Sequence, residues 1–180
     1  MFKETIATVL SALNRNNIPF LFFGMEALNV YLEKELGESF ATKDADFLVA
    51  ASLVKPGIVL DVLRKTNFPE EVHIVAKTPG RERPWILFDG LRWRNRKFPE
   101  NVTISILTPP GPYSLDLAFG EPGIPFPDLW KRSKKAVCFG VTIRIAAKED
   151  ILTLKRLAGR PKDLLLLDRL RLTPRLKGRR

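Results

Sequence analysis

At 180 residues and 20.4 kDa, the chain is long enough to bury one real core and too short for two large domains. A hydrophobic content of 45% and a charged content of 28% exclude a disordered or fibrous chain, and a single cysteine, Cys138, excludes a disulfide framework. No apolar run approaches the roughly 20 residues of a membrane span, and Met1 to Thr5 reads as the start of an amphipathic helix, not a secretion signal, so a cytoplasmic protein without a membrane partner is expected.

In chain order, Ile6, Val9, Leu10 and Leu13 recur at helical spacing over 3–15. Pro19 to Phe23 reads as a buried strand stopped by Gly24, and Met25 to Glu35 as a second helix with Ala27, Leu28, Tyr31 and Leu32 inward. Asp44 to Val49 reads as a strand, and Leu53 to Lys65 as a helix with Pro56 in its first turn. From Glu71 onward the pattern is β: Val72–Val75, Trp85–Phe88, Val102–Leu107 and Leu115–Phe119, parted by Pro- and Gly-containing loops. A short helix over Phe126–Lys131 precedes a hairpin, Ala136–Phe139 and Val141–Ile145, around Gly140. Two helices close the chain at about 148–158 and 162–172, parted by Gly159-Arg160-Pro161. This order predicts a mixed α/β or α+β domain with a helical end: one domain over 1–180, with a core to about 146, helices over about 147–172 and a basic tail over 173–180.

The net charge of +10 is unevenly placed. Residues 131–180 carry 16 Lys/Arg against 4 Asp/Glu, a balance of 16 − 4 = +12; the first 130 carry 14 and 16, a balance of −2. The functional reading of this asymmetry is a polyanion, RNA or a nucleotide; the alternative is a solvated tail of Arg175, Lys177, Arg179 and Arg180.

The stretch richest in chemistry is Thr42-Lys43-Asp44-Ala45-Asp46, leading into Phe47-Leu48-Val49. In a strand Asp44 and Asp46 share one face while Ala45 and Phe47 take the other. Two like charges near a core call for something positive between them, and Mg²⁺ held by carboxylates and substrate phosphates supplies it. The alternative is a solvated strand end. The Gly24 strand–helix turn would let backbone N–H groups approach a phosphate. Asp116, flanked by Leu115 and Leu117, is costly in a strand unless it meets a partner. If its strand neighbours that of Asp44 and Asp46, three carboxylates converge and could hold two Mg²⁺ ions for an in-line phosphoryl displacement. Lys155 falls within the apolar arc of its helix, so it either snorkels or meets a phosphate, and Arg160, Lys162 and Asp163 crowd the following turn. The interleaving of Trp85 and Trp93 with Arg92, Arg94, Arg96 and Lys97 suits single-stranded nucleic acid, and equally a twisted hairpin with snorkelling arginines. His73 reads as structural and Trp130 as a core anchor.

Taken together, Gly24, Thr42-Lys43-Asp44-Ala45-Asp46, Asp116, Glu149-Asp150-Ile151-Leu152, Lys155 and Gly159-Arg160-Pro161-Lys162-Asp163 resemble the nucleotidyltransferase superfamily, nearest to small bacterial proteins grouped with AbiEii-type toxins. That resemblance implies a DNA-polymerase-β-like palm, a short mixed sheet flanked by helices, binding an NTP with Mg²⁺. It implies Asp44, Asp46 and Asp116 as catalytic metal ligands, with Asp116 acting on the attacking hydroxyl. It places Gly24, Met25, Thr42, Lys155, Lys162 and Asp163 at the nucleotide, Asp163 orienting the lysines. It further implies transfer of NMP to a hydroxyl of RNA, such as tRNA, or of protein, and a toxin paired with a cognate antitoxin. Met25 stands where the family has Gly or Ser, and Phe40 where an Arg is common. A non-catalytic module binding nucleotide, RNA or a partner protein is the alternative.

Overall fold

A computed structural model describes residues 2–69, 71–94, 99, 101–109, 111–120 and 123–172, the side chains of 171 and 172 excepted. Among them run α1 (Phe2–Arg15), β1 (Phe20–Phe23), α2 (Gly24–Leu36), β2 (Asp44–Val49), α3 (Pro56–Arg64), β3 (His73–Lys77) and β4 (Trp85–Phe88). There follow β5 (Thr103–Leu107), β6 (Ser114–Phe119), α4 (Phe126–Arg132), β7 (Lys134–Cys138), β8 (Val141–Ile145), α5 (Lys148–Ala158) and α6 (Pro161–Leu172). The architecture is mixed α+β, as the alternation of patterns predicts, and the sheet is eight strands wide in the order β4-β3-β5-β6-β2-β1-β8-β7. The β2–β6 and β1–β8 pairs are parallel and the others antiparallel. No helix among the described residues is long and apolar enough to cross a membrane. The basic tail, with Arg175, Lys177, Arg179 and Arg180, and the pair Arg96 and Lys97 lie outside the described residues.

Strand alternation divides the core in two. Phe20 and Phe22 of β1, Ala45, Phe47 and Val49 of β2, and Leu115, Leu117 and Phe119 of β6 enter the main core. There they meet Ile6, Val9, Leu10 and Leu13 of α1, Leu28 and Leu32 of α2, and Val59 and Leu63 of α3. Phe22 stacks on Phe47 with ring centroids 4.8 Å apart, joining β1 to β2 at the centre. The intervening residues Leu21 and Leu48 turn the other way, into a smaller core with Phe126, Leu129 and Leu154. Ala118 of β6 packs at its margin. By the same alternation Asp44 and Asp46 share a face with Leu48, and Asp116 with Ala118. The smaller core covers only part of that face, and the carboxylates stand beyond its margin.

Three boundaries differ by two residues or more from those the pattern predicts. α3 begins at Pro56, not Leu53, because the residue before a proline avoids helical backbone: Lys55 is extended at φ −78°, ψ 149°. β7 begins at Lys134, since Lys134 and Lys135 pair with Ile145 and Arg144 on a sheet edge where lysines face solvent. β3 runs His73–Lys77, carrying Lys77 onto the sheet opposite Thr103. The β7–β8 hairpin turns through Phe139 at φ 55° and Gly140 at φ 74°, the doubly positive pair that a two-residue hairpin favours.

Candidate active site

β2 lies between β1 and β6, and this adjacency builds the site. In the β2–β6 register Asp46 is directly opposite Asp116 and Asp44 opposite Ser114. Parallel neighbours are about 4.8 Å apart, so Asp46 and Asp116 project side by side. The Ser114 hydroxyl donates to Asp44 Oδ1 at 2.8 Å, and the Ser114 N–H donates to the Lys43 carbonyl at 3.0 Å, fixing the start of both strands. Thr42 is a local brace: its Oγ1 accepts from the Asp44 N–H at 3.4 Å and donates to the Asp44 carbonyl at 3.3 Å.

On the other side, Phe23 of β1 pairs with Asp46, so the turn into α2 begins against that carboxylate. Gly24 adopts φ +80°, and a Cβ there would lie 2.1 Å from Asp46 Oδ2. Glycine is therefore required twice, for its backbone conformation and for the space its neighbour fills. The N-cap of α2, Phe23, makes no side-chain capping bond. Met25 is half-buried and packs against the main core.

The electrostatics are those of crowded acids. Burial, then Asp116, then Asp44 push the Asp46 carboxyl up to about 7, while Lys155 and Arg160 pull in the opposite sense. Asp116 Oδ2 lies 3.5 Å from Lys77 Nζ, and Asp116 Oδ1 is buried without a hydrogen-bond partner among the described residues. Directly opposite Asp116 on β5, the fully buried Ser105 has an equally unpartnered Oγ.

The closing helices bring cations toward this cluster. α5 ends at Gly159 in left-handed conformation, φ 61°, and Pro161 opens α6, the order in which Gly and Pro suit a helix end and the next start. That reversal sets Lys155 and Arg160 on one acid: Lys155 Nζ donates to Asp163 Oδ1 at 3.0 Å and Arg160 Nε to Asp163 Oδ2 at 2.5 Å. Burial would raise the Asp163 carboxyl, and the bonds from Arg160 and Lys155 outweigh it and hold it below the usual carboxylate range. Lys155 and Asp163 are buried, while the Arg160 side chain is 58% exposed. Lys155, which spacing alone left between snorkelling and phosphate contact, is thus held inside by an ion pair. Lys162 is exposed. Arg160, one of the residues crowding the Gly-Arg-Pro turn, is the more exposed of the two cations on Asp163.

The structure therefore brings together Asp44, Asp46, Asp116 and Gly24, sets Lys155 and Arg160 on Asp163 close enough to act on Asp46, and leaves Thr42 bracing Asp44. Among the described residues no three acidic, His or Cys side chains already stand in a metal-binding arrangement. The donor set is nevertheless one that suits Mg²⁺: hard carboxylate oxygens, an orphaned buried Oδ1, and an acid whose like-charged neighbours outweigh its cations. Elsewhere, both tryptophans of the basic–aromatic segment and its Arg81 and Arg94 have local partners. Arg81 stacks over Trp85 at 4.6 Å, Arg64 lies 5.5 Å from the Trp93 ring centre, and Arg94 pairs with Asp89 at 2.9 Å. His73 lies 3.3 Å from Glu71, and Trp130, partly buried against the smaller core, stacks on Phe126 and under Arg144.

No family model matches the sequence, and no curated protein matches it. Solved structures do match it, among them the following two. One is the polyadenylate synthase of Megavirus, with a TM-score of 0.49 and 14% identity over 94% of this chain and 30% of that one. The other is the antibiotic-resistance factor ANT(2'')-Ia, with a TM-score of 0.45 and 13% identity over 94% of this chain and 90% of that one. The chain spans less than a third of the length of the first.

Proposed function

We propose that this chain transfers NMP from an NTP to a hydroxyl group, with Asp44, Asp46 and Asp116 as its catalytic carboxylates. The observation that carries the reading is the register of β2 and β6, which sets Asp46 beside Asp116 with the Gly24 turn closed against Asp46. Such a concentration of negative charge at a strand–helix turn is costly in a resting protein and useful to one that binds divalent cations together with a phosphate substrate.

In this reading Asp44, Asp46 and Asp116 hold two Mg²⁺ ions, which when bound neutralise the triphosphate and acidify the attacking hydroxyl. The backbone N–H groups of Gly24 and Met25, at the uncapped start of α2, face the phosphates. Exposed Arg160, steered by Asp163, contacts them directly; Lys155 adds positive charge from inside, and Lys162 reaches them from the turn. Asp116 accepts the proton of the attacking hydroxyl. The acceptor oxygen bonds to the α-phosphorus, the bond to the β-phosphate bridge breaks, and pyrophosphate leaves with that electron pair. Positioning and charge neutralisation supply most of the rate.

The acceptor proposed is an RNA hydroxyl, such as a tRNA end, on the strength of the +12 balance over residues 131–180. If that transfer blocks an RNA end the cell uses, the chain acts as a toxin, and a cognate antitoxin protein is the partner such a role calls for. The test incubates the protein with each α-labelled NTP, Mg²⁺ and total RNA or total protein, beside Asp46→Asn. Label on RNA, lost in the variant, supports the proposal; label on protein alone moves the acceptor; label on neither, with nucleotide still bound, sinks the enzyme.

That last outcome is the second reading, a nucleotide-binding module without transfer, and one observation favours it. Phe40 stands where an Arg is common in the family, and it is committed to packing. Its backbone N–H and carbonyl are both clasped by the Asn29 amide at 2.9 and 2.8 Å, and its ring lies 4.9 Å from the Arg169 guanidinium.

A further inference from the structure

Lys77 is the last residue of β3, two strands away from β6, and its ammonium crosses β5 to reach Asp116 Oδ2 at 3.5 Å. The ladder explains how. His73, Val75 and Lys77 lie opposite Leu107, Ser105 and Thr103, which in turn lie opposite Ser114, Asp116 and Ala118. All nine residues therefore share one face, the face that carries the carboxylates. On the path between them β5 offers only the small Thr103 and Ser105, which leaves room for the lysine stem. At one end of the cluster Asp44 is held by Ser114; at the other Asp116 is held by Lys77. Oδ1 of Asp116 is buried and has no hydrogen-bond partner among the described residues.

We propose that Lys77 is a positioning residue that makes the carboxylate cluster discriminate between a bare divalent cation and a cation arriving on a nucleotide. The inference rests on reading Asp44, Asp46 and Asp116 as cation ligands. A fixed positive charge 3.5 Å from one ligand oxygen repels a divalent ion that arrives alone. A divalent cation complexed with a nucleoside triphosphate carries net negative charge, so the same ammonium attracts it. One charge thus acts with opposite sign on the two ligands, and the site fills with cation and nucleotide together. The side chain of Lys77 is 48% exposed, so solvent screens the effect to a severalfold change in each affinity.

The test titrates Mn²⁺ into the whole protein and follows the free-ion electron paramagnetic resonance signal, with and without α,β-methylene-ATP, for wild type, Lys77→Met, Lys77→Gln and Lys77→Arg. Melting curves establish which variants fold, and the half-exposed position gives each of the two neutral variants its own opportunity to do so. Expected is a threefold to tenfold gain in affinity for Mn²⁺ alone and a loss of similar size for the Mn²⁺–nucleotide complex in the neutral variants. Lys77→Arg stays near wild type in both. Changes of the same sign in both titrations, or none, overturn the inference while leaving the cation reading intact. Failure of every protein, wild type included, to take up Mn²⁺ with or without nucleotide overturns the cation reading and the inference with it.

Discussion

Asp46 illustrates how one residue couples stability to function. Its carboxyl is pushed up to about 7 in the fold by burial, Asp116 and Asp44, against an ordinary value of 3.8. Below the ordinary value it is protonated in both folded and unfolded chains and imposes no penalty. Between there and about 7 the unfolded chain gives up the proton that the fold keeps, so stability falls as pH rises through this window. Metal-free protein is therefore expected to melt at lower temperature at pH 8 than at pH 5 relative to Asp46→Asn. The substitution should stabilise the fold at pH 8 by roughly 2–4 kcal/mol while removing transfer activity. Parallel melting curves of both proteins in chelator would show no divergence with pH if the crowding of acids were illusory. Gly24 makes the complementary case. Gly24→Ala places a Cβ on Asp46 Oδ2 in a positive-φ backbone, and a loss of roughly 1–3 kcal/mol is expected, read by denaturant unfolding. A neutral Gly24→Ala would contradict the contact.

At the scale of elements, the α5–α6 reversal hangs on two cations that share one buried acid. Asp163 is 2% exposed and is shared by Lys155 and Arg160, whose energetic roles differ. Asp163→Asn leaves the Lys155 ammonium buried without its counter-charge and should cost roughly 3–5 kcal/mol. Lys155→Met with Asp163→Leu should recover much of that loss in a double-mutant cycle. Because the Asp163 carboxyl is held below the usual range, its contribution is present above the ordinary carboxylate value and disappears as acid carries the pH through its lowered one. Arg160→Gln, at an exposed position, should leave the melting temperature within a few degrees and weaken nucleotide binding about tenfold, measured by calorimetric titration. Much of this layer was legible beforehand: the alternation Asp44-Ala45-Asp46-Phe47 gives the common face of the two acids, and Gly159-Pro161 marks the reversal. What stayed hidden is long-range pairing. Nothing local says that a strand 70 residues onward will lie parallel to β2 with Asp116 opposite Asp46. Nor does the pattern show that β3 extends to Lys77, because its strand signal is spent at Val75. The crowding of Gly24 by Asp46 arises only once β1 and β2 are paired.

For the whole molecule, charge is distributed by region: +12 over residues 131–180 against −2 before them. Residues 173–180, which contribute four of those cations, are expected to serve RNA binding and not folding. Removing them should leave the melting temperature unchanged and reduce RNA affinity. The slope of log affinity against log salt should become shallower by up to about 3, given roughly 0.7 per phosphate contact on single strands. An unchanged slope would remove the tail from the RNA interface. Whatever the acceptor, the carboxylates on β2 and β6 are expected to support attack at the α-phosphorus. The most direct measurement gives the protein one NTP labelled at the α-phosphate and, in parallel, at the γ-phosphate, with Mg²⁺ and RNA. Expected are α-label joined to the acceptor, γ-label released in pyrophosphate, and both lost in Asp116→Asn. Transfer of the γ-label to the acceptor, or transfer that survives Asp116→Asn, would contradict that expectation.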